Sequence, residues 1–368
     1  MKSRLRRGLI ISSITFLVLL GALELTGYVW EKNFSQGQFG WTLVASRRQK
    51  QEFKGSPDQP YFLYQPDKDY LWESIPVHIN SRGLREDEVA IPKPEGTYRL
   101  LNVGDSIAYG WRVRQEETFG HQLEGLLNDG TAEQPVEVVN AAMPGWSLEA
   151  SRNFLLQEGF DYQPDAVILS IAVVNDMTDA PIVRPENTFF SWLRDNTYSW
   201  PFLTAQARFL MARQVGPEAI AALNPPQEAR AYYPQNENNP IYEKVWGFVT
   251  DMRDASEARG IPFIVIVFPT AFQLNSSAHP DVAQRVLSER AAADGITMID
   301  LLPVYDEACA AAEADTAAEA DAAAGPDACE GYENALFADV WMHPNSTGHR
   351  LAAEQLAALW PFEQAGGE

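Results

Sequence analysis

Cysteine is scarce in this chain of 368 residues: there are two, Cys309 and Cys329, alongside only five histidines. No Cys-x-x-Cys pair and no Cys/His cluster accompanies them, so the sequence offers no zinc-type ligand set and no metal is expected. Basic residues are also in short supply, with 28 Lys and Arg against 50 Asp and Glu, a formal net charge of -22. A surface that binds nucleic acid must present Lys and Arg to phosphates, and that class is excluded. The acidity reads instead as a solvated surface that maintains solubility. The loop after the first strong apolar run carries neither a Gly-x-Gly-x-x-Gly nor a Walker-type lysine, so no nucleotide or flavin cofactor is expected.

What is present is enough apolar residue, 46% of the chain, for one large domain or two ordinary ones. The N-terminus places Lys2, Arg4, Arg6 and Arg7 before an apolar run that fades near Trp30. At the helical rise this run spans about 33 Å, one membrane crossing. Glu24 falls late in it, beside Tyr28 and Trp30, where an outer interface would lie. No Ala-x-Ala follows Leu20, which favours a retained anchor over a cleaved signal peptide. Either way the basic cluster stays in the cytoplasm and the rest of the chain is exported. In an oxidising compartment Cys309 and Cys329 are expected to form a disulfide at the neck of the low-complexity run "AAAEADTAAEADAAAGPDA", two free thiols being the alternative.

From Tyr98 onward apolar runs alternate with helical stretches. The strand candidates are "YRLLNV", "VEVVNA", "DAVILSIAVV", "IPFIVIVF" and "ITMIDLL"; helices are predicted over 118–128, 148–157 and 242–259. Runs this continuous suit strands covered on both faces of a parallel sheet. The predicted fold is therefore a doubly wound, three-layer α/β sandwich with a central, mostly parallel five-stranded sheet, preceded by one transmembrane helix. Ligands bind such sheets at the carboxyl ends of the strands, and the residues with chemical potential fall there. The aromatic and Pro-rich interval at about 177–240 reads either as a substrate lid or as an inert packing insertion.

Gly-Asp-Ser at 104–106 is a weak signal alone, since the tripeptide occurs by chance in roughly one chain in ten of this length. Its placement at a strand end aims the Ser106 hydroxyl into the crevice above the sheet. Gly145 follows the second strand, where its N–H is free to serve an oxyanion, and Asn175 follows the third, with an amide donor. His343 precedes a predicted final helix and supplies a base. Asp105 and Asp176 read as residues that brace their loops. Of the other histidines, His78, His121 and His349 read as structural, and His279, after a strand, is the rival base.

Ser106 in "GDS", Gly145 in "NAAMPG", Asn175 in "VVND" and His343 in "MHPN" make the chain resemble the GDSL/SGNH hydrolase superfamily, in particular its membrane-anchored bacterial members. The likeness runs from about "INSRGLR" to "AAEQLAAL". It implies a serine esterase or deacylase in which Ser106 is the nucleophile, His343 the base, and Ser106, Gly145 and Asn175 the oxyanion hole. It divides the chain into an anchor at 1–30, a stalk and wrapping segment at 31–95, and a catalytic domain at 96–363 with a cap at about 177–240 and an insert at 306–330. The superfamily's acid stands three residues before its histidine, whereas Asp339 stands four before His343. Asp339 is the expected orienting carboxylate, a Ser–His dyad being the alternative. The motif does not specify the ester. O-acetyl groups of envelope glycans lead and lipid acyl chains follow; acyl transfer, or a catalytically weak protein that binds glycans or acylated ligands, are the other readings.

Overall fold

The computed structural model describes residues 2–34, 51–56, 58–72, 75–173, 176–177, 189, 192–193, 197–200, 202–203, 206, 236–274, 281–319, 335–338 and 342–362. Asn175, His279, Cys329 and Asp339 lie outside the described residues, as does most of the interval read as a cap. The chain forms two compact units: Met1–Lys50 with Tyr70–Pro76 and Arg184–Asn224, and Gln51–Asp69 with Val77–Val183 and Pro225–Glu368.

The first unit holds helix α1, Lys2–Phe34. Among the described residues one helix is long and apolar enough to cross a membrane, over Ile10–Trp30. Its side chains Ile11, Phe16, Leu17, Val18 and Leu19 are exposed. The last turns differ. The Glu24 carboxylate accepts the backbone N–H groups of Tyr198 and Ser199. Tyr28 meets Tyr198 edge-on with ring centroids 5.2 Å apart, and Trp30 meets Phe202 at 5.7 Å. A Cβ at Gly27 would fall 2.3 Å from the Tyr198 carbonyl oxygen, so only glycine lets these backbones meet. The one carboxylate in the apolar run is thus satisfied by backbone donors.

The second unit is built on strands β5 (Tyr98–Val103), β6 (Val136–Asn140), β7 (Ala166–Ala172), β8 (Phe263–Phe268) and β9 (Thr297–Asp300), in the order β6-β5-β7-β8-β9 and parallel throughout. Every residue of β7 and β8 is buried, which accounts for their unbroken apolar sequences. Among the described residues the α-helices of this unit are α2 (Ser106–Tyr109), α3 (Phe119–Leu126), α4 (Leu148–Gln157), α5 (Pro240–Glu257), α6 (Val282–Ala293), α7 (Leu302–Glu319) and α8 (Ser346–Ala357). Helix α3 packs on α8, and α4 on α5, giving the helical layers of a doubly wound fold. The order reverses at β5: the chain goes first to β6 on one side and then to β7 on the other, and a ligand crevice opens at such a switch point.

Ahead of the sheet, β1 (Gln51–Ser56) and β2 (Gln59–Tyr64) form an antiparallel hairpin, and β3 (Lys68–Trp72) pairs with β4 (Ile75–Ile79). Tyr61 to Tyr64 are buried against α4. The Asn153 amide donates to the Pro60 carbonyl at 3.1 Å, and the Trp146 indole N–H to that of Phe62 at 3.0 Å. The Ala-rich run after Asp306, which has little apolar surface of its own, begins as a continuation of α7 to Glu319, with Cys309 fully buried on it. Its expected partner, Cys329, is outside the described residues.

Candidate active site

Strand β5 ends at Val103, and the next three residues turn sharply into α2. Asp105 caps that helix, its carboxylate accepting the Ile107 N–H at 2.9 Å. Ser106 is therefore the first helical residue, with its own N–H among the donors a helix start leaves unpaired. Helix α2 ends after one turn at Gly110, which is left-handed (φ 80°), and a Cβ there would fall 2.3 Å from Thr118 Cγ2. Nearly all of Ser106 is buried.

His343 arrives from 237 residues further on. Around it Phe337 and Pro344 form a bridge: the Ala338 N–H donates to the His343 carbonyl at 2.8 Å, and that of Asn345 to Leu336 at 2.9 Å. Asn345 also caps α8, its side-chain oxygen accepting the N–H groups of Thr347 and Gly348. So held, His343 places Nε2 2.9 Å from Ser106 Oγ. The Trp111 ring lies 6.0 Å from the imidazole at a 32° tilt, and Arg112 donates to the Ala338 carbonyl at 3.1 Å.

The other sequence candidates divide. Gly145 sits in the loop after β6 with φ at 85°, exposed, and no atom lies within 4 Å of where a Cβ would be. The same loop is tied to the nucleophile turn by a bond from the Met143 N–H to the Gly104 carbonyl, 3.1 Å. Asp176 is fully buried beyond β7, where its carboxylate accepts the Ala172 N–H at 2.8 Å. Burial, then the nearby Asp105 charge, raises its pKa well above the ordinary carboxyl value. His121 pairs with Glu86 at 2.9 Å. His349 is buried, stacked against Phe119, with its Nδ1 accepting the Phe119 N–H at 3.3 Å. Burial lowers its pKa to about 3, with Arg85 and His343 contributing, so it is neutral. Among the described residues no group of three or more His, Cys, Asp or Glu side chains is arranged to hold a metal ion.

Sequence reasoning passed over Trp111, Arg112, Arg85 and Glu86. The last two lie in the charged stretch "SRGLRED", where their neighbours Arg82, Asp87 and Glu88 gave no sign of which charges would be buried.

A parallel doubly wound sheet that brings a buried serine hydroxyl against an imidazole at its switch point is a framework on which a hydrolase can be built. Residues 103–351 match the GDSL-like Lipase/Acylhydrolase family, and the chain belongs to it. It is an ester-hydrolysing enzyme. No curated protein matches the chain. Three esterases are among the solved structures that resemble it distantly. The psychrotrophic esterase EstA from Pseudoalteromonas sp. is 11% identical, with 71% of this chain and 94% of that one covered and a TM-score of 0.38. A catalytic mutant of the acetylxylan esterase Axe2 from Geobacillus stearothermophilus is 15% identical, with 74% and 97% covered and a TM-score of 0.42. The acetyl xylan esterase AlAXEase is 13% identical, with 71% and 99% covered and the same TM-score of 0.42. Membership rests on the family match and not on these structures.

Proposed function

We propose that the chain hydrolyses an acyl ester through a covalent acyl-serine intermediate, with Ser106 as nucleophile and His343 as general base. The observation that carries this reading is the 2.9 Å contact between Ser106 Oγ and His343 Nε2. A neutral hydroxyl is a poor nucleophile; with its ring proton on Nδ1, His343 accepts the serine proton at Nε2 as the new C–O bond forms. The developing oxyanion is received by the N–H groups of Ser106 and Gly145 and the Asn175 amide, each contributing about 3 kcal/mol to the transition state. His343 then protonates the leaving alcohol, and the same ring activates water to release the acid. Asp339 faces the far ring nitrogen in this reading and holds the imidazole in the reactive tautomer. Asp105 and Asp176 keep the two strand-end loops in place.

The substrate in this proposal is an O-acetylated glycan of the envelope, with a lipid acyl ester second. The Trp111 ring beside His343 favours the glycan, because an indole face suits a sugar ring next to the scissile ester. Helix α1 serves as a retained anchor that leaves the catalytic unit outside the cytoplasm. Its support is the docking of Glu24, Gly27, Tyr28 and Trp30 onto the 197–203 segment, contacts that a cleaved signal peptide would not need. Cys309 and Cys329 complete the proposal as a disulfide.

Labelling with a fluorophosphonate tests the nucleophile. Wild-type protein is expected to label at Ser106, and Ser106→Ala to lose both labelling and hydrolysis of p-nitrophenyl acetate. A folded wild-type protein that neither labels nor hydrolyses any acyl ester overturns the reading. The intact mass of the membrane-bound protein tests the anchor, loss of residues 1–30 being the refuting result.

A further inference from the structure

The nucleophile turn and the Gly145 loop are both gripped from behind by a segment upstream of the family-matched region. Asn80 organises it: its side-chain oxygen accepts the N–H groups of Arg82 and Leu84, at 3.0 and 3.1 Å, and its amide donates to the Asp87 carbonyl at 3.0 Å. The turn presents two adjacent charged residues, Arg85 and Glu86, exposed by only 2% and 5%.

Arg85 Nη1 donates to the carbonyls of Tyr109 (3.1 Å) and Gly110 (2.7 Å), and Nη2 to that of Val113 (2.8 Å). These are the C-terminal carbonyls of α2 and of the loop behind it, which a one-turn helix cannot satisfy itself. The remaining carbonyl at that end, Ala108, accepts from the Asn140 amide at 2.7 Å. Among the described residues no carboxylate pairs with Arg85. The guanidinium is held instead by these three carbonyls and by the Tyr109 ring, whose centroid lies 5.1 Å from Cζ.

Glu86 takes the other loop. One carboxylate oxygen accepts the Asn140 N–H at 3.1 Å, at the last residue of β6. The other pairs with His121 Nε2 at 2.9 Å and accepts the Gln115 amide at 3.1 Å. From Asn140 the chain runs directly into the loop that carries Gly145.

We infer that Arg85 and Glu86 are positioning residues for ester hydrolysis: Arg85 fixes the far end of the helix that begins at Ser106, and Glu86 fixes the root of the Gly145 loop. The active site is thus completed by residues before position 103. This inference rests on the reading of Ser106 and His343 above. Neither side chain is placed to touch substrate; each acts by setting where the nucleophile and the oxyanion donors stand, and a misplacement of 1 Å costs about 10²-fold in rate.

The test uses the full-length chain in detergent with p-nitrophenyl acetate, comparing Arg85→Met, Arg85→Lys and Glu86→Gln. The expected result is a fall in kcat of about 10- to 100-fold with KM little changed. Fluorophosphonate labelling of Ser106 slows in parallel, and Arg85→Lys recovers part of the loss because it keeps the charge without the planar fork. A lowered melting midpoint with wild-type kcat per titrated active site indicates a purely structural role and overturns the inference. Should Arg85→Met fail to fold, Arg85→Lys and Glu86→Gln decide on the same criterion. Ser106→Ala run alongside separates the two claims. Retained activity there refutes the serine reading; an inactive Ser106→Ala beside fully active Arg85 and Glu86 variants refutes this inference alone.

Discussion

Gly104 sits between the end of β5 and the Asp105 cap, and replacing it with alanine probes how tightly the nucleophile turn is fitted to the sheet. A Cβ there would fall 2.0 Å from Ser170 Oγ, 3.1 Å from Ala108 Cβ and 3.2 Å from the Ser170 carbonyl oxygen. Gly104 is not among the glycines with positive φ, so its backbone suits alanine and the cost is steric alone. Ordinary carbon contacts begin near about 3.5 Å. The hydroxyl can rotate away, but the carbonyl and the Ala108 Cβ are fixed by β7 and α2. Overpacking of this kind costs about 1–3 kcal/mol. If the turn yields instead, Ser106 moves relative to His343 and kcat falls by about 10²-fold for a 1 Å shift. Urea unfolding and p-nitrophenyl acetate turnover measure the two effects on one preparation. The partner substitution Ser170→Ala removes the closest contact and sacrifices only a 3.5 Å bond to the Val103 carbonyl, so it is nearly neutral alone. Combined with Gly104→Ala it is expected to restore about 1 kcal/mol, a coupling typical of touching residues. Wild-type stability and turnover for Gly104→Ala, or strict additivity in the double variant, would refute the steric argument.

Trp146→Phe keeps most of the ring packing against Tyr61 and Phe154 but removes the indole N–H that donates to the Phe62 carbonyl. A loss of about 1–3 kcal/mol in urea unfolding is expected. His121 is buried, which disfavours its charge, yet bonding to Glu86 and the charges of Glu86, Glu124 and Asp87 raise its pKa above 6.5 overall. The stability this pair contributes is fully present below pH 6.5 and is lost as pH rises through the raised value. His121→Gln should therefore lower the melting midpoint more at pH 6 than at pH 9; an equal drop at both contradicts the linkage. Asp176, with its pKa raised by burial and by Asp105, disfavours ionisation in the fold, and stability falls as pH climbs above the ordinary carboxyl value of about 3.9. Asp176→Asn keeps an acceptor for the Ala172 N–H and should gain in relative melting midpoint from pH 4 to pH 8. A gap that narrows over that range counts against it.

Much of the sheet was legible beforehand because burial on both faces writes itself as continuous apolar sequence. The runs "YRLLNV" and "IPFIVIVF" contain β5 and β8, and the helix predicted over 148–157 is α4 with the same ends. Ends set by capping were harder. Pro240 opens α5 two residues before the periodicity suggests, under the Asn239 cap, and α3 stops at Leu126 before an irregular turn. The site shows the same division. Ser106 was visible as a motif residue at a strand end, and His343 as one just before the final helix.

By itself the sequence determined the parallel α/β architecture, the apolar N-terminal helix and the residue types available for ester chemistry, because hydrophobic periodicity and local turn chemistry are properties of neighbouring residues. Only the tertiary structure decided that Ser106 and His343 meet at 2.9 Å, and that Arg85 and Glu86 are buried beneath the nucleophile. A hydrogen bond across 237 residues, and a guanidinium that serves three carbonyls in another segment, depend on how the chain crosses over at β5. No local pattern encodes such a crossing; the packing of helices on both faces of the sheet sets it.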